Sequence, residues 1–586
     1  MEKSFWNGAI GGRLLLQLVI LGGLLWMIPL PDCRGEEMDV PVLIAQAIRD
    51  GKRSVRIPPG VHRVSKAIRL EKVNNFSMDG TGATLVFTNL KDGGVAMMEC
   101  SNVTLKGLTI DFDPLPFTQG TITAIADDRM SVEVEMHQGY PDLTWLYQDI
   151  YYPHLFDPKT RLQKSGCLFR DTGKKAERIG GRKYKIPLFQ PQSPDDRVGD
   201  LVCFYNRSLA GAVFMKLCGN ITLDRLTIFA GCTAINCHDG KGGIRVSRVT
   251  ITRGPRPAHA TEDRLRSTVQ DAFFFARGRG GPILENCDFG FMGDDYFNIH
   301  GYCYPIARVE SPTSFLAATI APAFMNVRKG DRVRILDGSS FSIVDGATIS
   351  RIEPNVVVEG DILSTEEIQK VWKYLSPDPV TRKFNTAVYR VILENPCENL
   401  KKGQYFDVPD GEGNSGFIIR NCRFHDNSGL GRIQASDGII EKNRFERTPY
   451  EAISIMASYL GGFTESGWAE NIIIRKNQFI DLPKFPEYSV GKAALSITPS
   501  GAGFGFVQGH RHIVIEDNVF DGCHAVPMSI GSARDVDIRN NRFGRIDLPE
   551  DQSKEPGDSK FMRIEHSSCK DIRVSEDPEQ VQRFAK

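Results

Sequence analysis

Five stretches decide the fold: FIIRNCRF (417–424), GIIEKNRF (438–445), IIIRKNQF (472–479), IVIEDNVF (513–520) and DVDIRNNRF (535–543). Each alternates apolar with polar residues, is rich in isoleucine and valine, and ends on phenylalanine. That is the period-two pattern of a short β-strand, not the 3.6 period of a helix. PILENCDF (282–289) aligns with them without gaps, and NFSMDG from Asn75, NVTLKGLTI from Asn102, NITLDRLTI from Asn220 and IRVSRVTIT from Ile244 are more distant copies. The step from Phe424 to Phe445 is 21 positions and that from Phe520 to Phe543 is 23, with steps of 34 and 41 where loops intervene. A coil of roughly twenty residues with three short strands is the unit of a solenoid. Asn443, Asn477, Asn518 and Asn541 stand two positions before the phenylalanines. Stacked coils would bring these amides into a ladder and the rings into an inner column.

Working outward, the pattern breaks twice. Residues 113–206 and 305–412 carry short strands between Gly, Pro and Asp turns, and share a similar phrase, VGDLVCFYN from Val198 and KGDRVRIL from Lys329. We read them as two small inserted β domains, barrels or sandwiches, with barrels expected. Coils then occupy 38–112, 207–304 and 413–586, with VPVLIAQAIRD (40–50) as a capping helix. The expected fold class is all-β: a right-handed parallel β-helix with two inserted small β-barrels.

The chain has 72 Lys+Arg and 72 Asp+Glu, so it lacks the basic footprint of a nucleic-acid binder. Lys3 and Arg13 precede an apolar run from Leu14 to Leu30 and then acidic residues, the order of a signal peptide over 1–33. A secreted or periplasmic location follows, with no stable membrane insertion once the leader is removed. A retained or lipidated leader, at Cys33, would instead leave a membrane anchor. Thirteen scattered cysteines without a CxxC pair read as buried free thiols, with no metal spacing. A homodimer is compatible with the sequence.

A second strand follows each phenylalanine corner: TAINC from Thr233, DAFFF from Asp271, DYFNI from Asp295, GRIQA from Gly431, EAISI from Glu451, AALSI from Ala493 and VPMSI from Val526. Their first places make a column holding Asp271, Asp295 and Glu451, with Asp294 alongside. Alternation would turn this column inward, and unpaired buried charge is costly, so a bend is expected to swing the acids to the surface. Coils lie about 4.8 Å apart, so these carboxylates would crowd and at least one would keep its proton. An acid beside a base is the equipment of a glycosidase, and a diagonal or two-coil pair suits inversion. Asp271, Asp294 and Asp295 are the expected catalytic residues. Arg432, Gln434, Asn298 and His300 are expected to bind hydroxyls, Tyr296 to stack on a sugar, Glu451 to contact substrate, and Glu465, on a loop with Trp468, to cover the cleft. Clustered acids also suit Ca²⁺, but the expectation is a site without metal or cofactor.

A lone Asp271 one coil before Asp294-Asp295, with His300-Gly301 and Arg432-Ile433 after, resembles the polygalacturonase-type inverting β-helix hydrolases. Here the histidine follows the pair too closely, and Gln434 stands where that pattern has a lysine for a uronate, which implies a neutral sugar. The chain is more similar to glycoside hydrolase family 110, the α-1,3-galactosidases. That likeness rests on DPLPFTQGTI from Asp113, the spacing from Asp271 to GDDYFNIHG (293–301), NCRFHDNSGLGRIQAS from Asn421, FTESG (463–467) and the two insertions. It implies metal-independent, inverting removal of terminal α-1,3-linked galactose, as on blood-group-B-type glycans, with the catalytic aspartates at Asp271, Asp294 and Asp295. A polysaccharide lyase or a polygalacturonase-like hydrolase on the same fold, and a non-catalytic glycan-binding β-helix, are the alternatives. The lyase lacks a Lys or Arg base near the acids other than Arg432, and a cluster of acids is a poor way to hold a sugar without turnover.

Overall fold

The computed structural model describes residues 38–143, 153–164, 176–188, 191–320, 325–359, 362–371, 386–458, 465, 467–485, 492–498, 507–548, 562–564 and 568–575, with two short strands at Leu18–Leu21 and Leu24–Met27. The leader expected at 1–33 otherwise lies outside these residues. No helix among the described residues is long and apolar enough to cross a membrane.

Three parallel sheets, of 11, 11 and 12 strands among the described residues, wrap one continuous apolar core. Each coil contributes one strand to each sheet, and successive coils pair in register. Phe289, Phe424, Phe445, Phe479, Phe520 and Phe543 are register partners in turn. Their rings stack at centroid distances of 5.2 Å (Phe424–Phe445), 5.3 Å (Phe445–Phe479), 4.5 Å (Phe479–Phe520) and 5.6 Å (Phe520–Phe543). The asparagine ladder forms at the preceding corner. Asn443 Nδ2 donates to Asn477 Oδ1 at 3.0 Å, Asn477 to Asn518 at 3.0 Å, and Asn518 to Asn541 at 2.9 Å. The residue before each amide, Lys442, Lys476, Asp517 and Asn540, has φ of 56–57°, so the corner is a left-handed turn. The amides serve the backbone polar groups that such a turn leaves unpaired.

The N-terminal end is covered by the helix Val40–Arg49, capped by Asp39, whose carboxylate accepts from Val42 N at 3.1 Å. Val40, Ile44 and Ala47 face the first coil. The second insertion is a closed antiparallel barrel of the strands Cys303–Ser311, Ser314–Ile320, Arg332–Leu336, Ile343–Glu353, Thr386–Leu393 and Tyr405–Asp407. The first differs from the barrel expected. Among the described residues it is an open six-stranded antiparallel sheet running from His154–Phe156 at one edge to Glu177–Gly180 at the other. The first of these edges is buried, and His154 there meets Arg266 of the solenoid. The other edge is exposed at every residue. With one edge docked on the solenoid, closure is not needed to protect it.

Candidate active site

The site lies on the sheet that contains Phe273–Ala276, Phe297–His300, Gly431–Gln434 and Ile453–Ile455. Pairing corrects the alignment read from sequence. Phe297 faces Gly431, not Ile433, and Arg432 faces Ser454. Continued back two places, this register sets Asp295 beside Gly429 and Glu451, so the acidic column holds with Gly429, not Gly431, as its member. The error came from the added residues of the 425–430 turn. Gly429 is required by close approach: a Cβ there would sit 2.4 Å from Asp295 Oδ1 and from the Asp294 carbonyl carbon.

One carboxylate oxygen from each of Asp271, Asp294 and Asp295 lies within 4.8 Å of the others. They do not swing out to the surface as expected. Asp271 is 7% and Asp295 4% exposed, while the side chain of Asp294 is 26% exposed and faces the opening. The structure manages this charge with cations and protons. Arg207 Nη2 donates to Asp294 Oδ2 at 2.5 Å, Arg432 Nε to Asp295 Oδ2 at 3.3 Å, and Leu430 N to Asp295 Oδ1 at 2.9 Å. Burial, reinforced by the charges of Asp294 and Asp295, holds the Asp271 carboxyl well above the usual carboxylate range. Burial also pushes Asp295 up to about 7, against the pull of Arg432. The cluster thus keeps a proton near neutrality, shared between coupled groups.

Glu465 closes one side. Its carboxylate oxygens lie 3.8 Å from Arg432 Nη1 and 3.8 Å from His300 Nε2. Gln434 Nε2 donates to the Glu465 carbonyl at 3.3 Å, and His300 Nδ1 is paired with the Gly301 carbonyl at 2.8 Å. Asn298 Oδ1, which has no hydrogen-bond partner, belongs to the next coil position from Arg432. Arg432 thus lies against Asp295, with Glu465 and Asn298 beside Arg432. His300 and Gln434 are buried and both meet Glu465; burial holds His300 below its ordinary range, so its ring is neutral.

Two expected residues are elsewhere. Tyr296 does not stack on a sugar: it is fully buried, its ring stacks on Phe424 at 5.0 Å, and its hydroxyl donates to the Ala452 carbonyl. Alternation from Asp295 turns it into the core. Glu451 keeps its place in the column but is fully buried, outside the group of three, with no surface open to a ligand. Trp468 is likewise interior, its Nε1 donating to the Phe341 carbonyl at 2.7 Å.

Sequence reasoning missed Arg207 and Asn427. Arg207 follows the last strand of the first insertion, Leu201–Tyr205, outside any repeat. Asn427 Nδ2 donates to the Asp294 carbonyl at 3.2 Å. It sits within the NSGLGR run already noted, where the amide beside a glycine turn was the available signal. The insertion also touches the same turn, since Ser428 Oγ donates to Gln163 Oε1.

Residues 406–543 match the family described as "Right handed beta helix region". Alpha-1,3-galactosidase B of Bacteroides thetaiotaomicron is 24% identical over 87% of this chain and 79% of its own length. Alpha-1,3-galactosidase A of Akkermansia muciniphila is 24% identical over 81% of this chain and 75% of its own. Alpha-1,3-galactosidase B of the same organism is 22% identical over 79% of this chain, which spans about half (55%) of that relative. Among solved structures, the catalytic domain of a GH87 alpha-1,3-glucanase in complex with nigerose is 10% identical with a TM-score of 0.39, over 93% of this chain and 68% of that one. The family 28 exopolygalacturonase of Yersinia enterocolitica is 11% identical with a TM-score of 0.37, over 93% of this chain and 77% of that one. By the curated relatives and its own coils, the chain is a glycosidase built on a parallel β-helix and homologous to proteins named alpha-1,3-galactosidase.

Proposed function

We propose that this enzyme is an exo-acting, inverting glycosidase that removes terminal α-1,3-linked galactose from glycans. The observation that carries the proposal is the group Asp271, Asp294 and Asp295 within 4.8 Å, in which the two buried members favour the protonated form and the solvent-facing one is paired with Arg207. The Asp271–Asp295 pair donates its proton to the glycosidic oxygen as the bond from that oxygen to the anomeric carbon breaks. A water attacks the same carbon from the opposite face and passes its proton to Asp294. The aspartates stand closer than the carboxyl separation of about 6.5–9.5 Å usual in inverting enzymes. The water must therefore lie on the open side of Asp294, not between two carboxylates.

Exo action is supported by how the sheet closes. Beyond Arg432 the outward-facing Ser454 and Ser496 are fully buried, so the recess ends there. The galactosyl unit is named from the relatives, and a neutral sugar agrees with Gln434 where a uronate site would need a cation. Metal independence is supported by Arg207 and Arg432, which already balance charge on Asp294 and Asp295. Export is supported by the leader-like segment 1–33, and is tested by whether the mature protein in the periplasm or medium lacks it.

The test is incubation with Gal-α1,3-Gal and with the branched B-type trisaccharide, with and without chelator. Free galactose, appearing first as the β-anomer by proton NMR and at unchanged rate with chelator, is expected. The α-anomer first would overturn inversion. An unsaturated product or no galactose from either glycan would overturn the reaction.

A further inference from the structure

The outward face of the catalytic sheet changes character on either side of the aspartates. One file of register partners runs Phe214, Asn236, Phe274, Asn298 and Arg432, and the next file contains His238 and His300. Four rings from these files form an unbroken series. Centroids are 5.9 Å apart for Phe214–His238, 5.3 Å for His238–Phe274 and 5.1 Å for Phe274–His300. Phe214, Asn236, His238 and Phe274 are half-buried, whereas Asn298, His300 and Gln434 are buried. The recess is thus shut on the C-terminal side and open on the N-terminal side. Whatever is attached to a sugar held at Arg432 and Asn298 has to leave across Phe274 and Phe214.

We propose that Phe214, His238 and Phe274 form the platform for the leaving-group part of the substrate, and that this part is one or two neutral pyranose units. The proposal rests on the glycosidase site at Asp271, Asp294 and Asp295. Two coils separate Phe214 from Phe274, about 10 Å, which is the reach of two linked pyranoses. Aromatic faces take the C–H faces of sugar rings, and the Asn236 amide between them offers hydrogen bonds. Burial pushes His238 down to about 3, so the platform is uncharged. The first charge in its file is Lys216, one coil further out. Arg277, whose charge also acts on His238, is buried and paired with Asp239 at 2.8 Å, so an acidic sugar over Phe274 would find no cation free to pair with it among the described residues.

The experiment compares Phe214→Ala, Phe274→Ala and the bulk-preserving Phe214→Leu and Phe274→Leu on two substrates, with thermal melts of each. Alpha-galactosyl fluoride has no sugar as leaving group, while a Gal-α1,3-Gal-terminated trisaccharide has two. The ratio of kcat/KM for trisaccharide over fluoride is expected to fall at least tenfold in the Ala variants, mostly through KM. A ratio within twofold of wild type in the folded variants would overturn the platform. If wild-type enzyme cleaves neither substrate, the galactosidase reading fails by itself. The platform is then judged by whether the free disaccharide still broadens or shifts in NMR with wild type and not with Phe214→Ala; no difference between the two would overturn it.

Discussion

Two corners of the same solenoid handle polar groups in opposite ways. At the asparagine corner every coil from Asn443 to Asn541 repeats one solution: Asn443, Asn477 and Asn518 each donate to the next amide, and the amides also serve the backbone. At the aspartate corner the coils do not repeat one solution. Asp271, Asp295 and Gly429 follow one another, three carboxylates crowd, and Asn298 Oδ1, His300 Nε2, Gln434 Oε1 and Glu465 Oε2 have no hydrogen-bond partner. Polar satisfaction marks scaffold, and polar groups left wanting mark the place where a substrate supplies the missing contacts. Repeats break where chemistry is done.

The contrast can be broken most forcefully at the aspartates. Asp271→Asn, Asp294→Asn and Asp295→Asn are each expected to lower kcat by roughly 10²–10⁴, while the melting temperatures of the Asp271 and Asp295 variants stay near wild type, because those buried carboxyls already favour the neutral form. Full activity in all three would put the reaction elsewhere. Next in size is pH. With Asp295 at about 7, its acid form is lost as pH rises, so kcat/KM should fall about tenfold per unit on the alkaline side. Arg432→Gln removes a charge that lowers that value, so its alkaline limb should move to higher pH, whatever happens to the rate. Arg207→Met is expected to cost roughly ten- to hundredfold in kcat/KM, by releasing Asp294 from its position; an unchanged value would make the ion pair ornamental.

The scaffold corner predicts the reverse division. Asn477→Ala strands the backbone and side-chain donors of Asn443 and the Ile440 carbonyl, and should cost about 2–4 kcal/mol in denaturant unfolding with activity intact below the transition. The smallest effect sharpens the comparison further. Tyr296→Phe should cost about 1 kcal/mol of stability and leave KM unchanged, since its hydroxyl meets the Glu451 and Ala452 carbonyls inside the core. A tenfold rise in KM would mean the hydroxyl reaches sugar after all.

Much of this was legible in the residues. The phenylalanine spacing carried the solenoid, and the amides two places earlier carried the ladder, because a strict repeat copies one environment many times. The aspartate group was legible because three acids in one column contradict burial. Its depth was not: the pairing of Asp294 depends on Arg207, 87 positions away and brought back by the first insertion. Tyr296 and Glu451 were misplaced for a related reason. Both lie at a corner, where one residue of turn geometry decides between core and surface; the 425–430 turn, separately, moved the Gly431 strand by two places. The open edge of the first insertion depends on what it docks against, which no local pattern records.

The asparagine ladder also gives the solenoid a direction of growth. Each amide points its donor toward the following coil and its acceptor toward the preceding one, from Asn443 through Asn541. A tandem duplication of the 23-residue unit between Asn518 and Asn541 would therefore meet ready-made partners above and below. Lengthening by gene duplication needs no new interface, provided the copy falls after the coils that bear the aspartates.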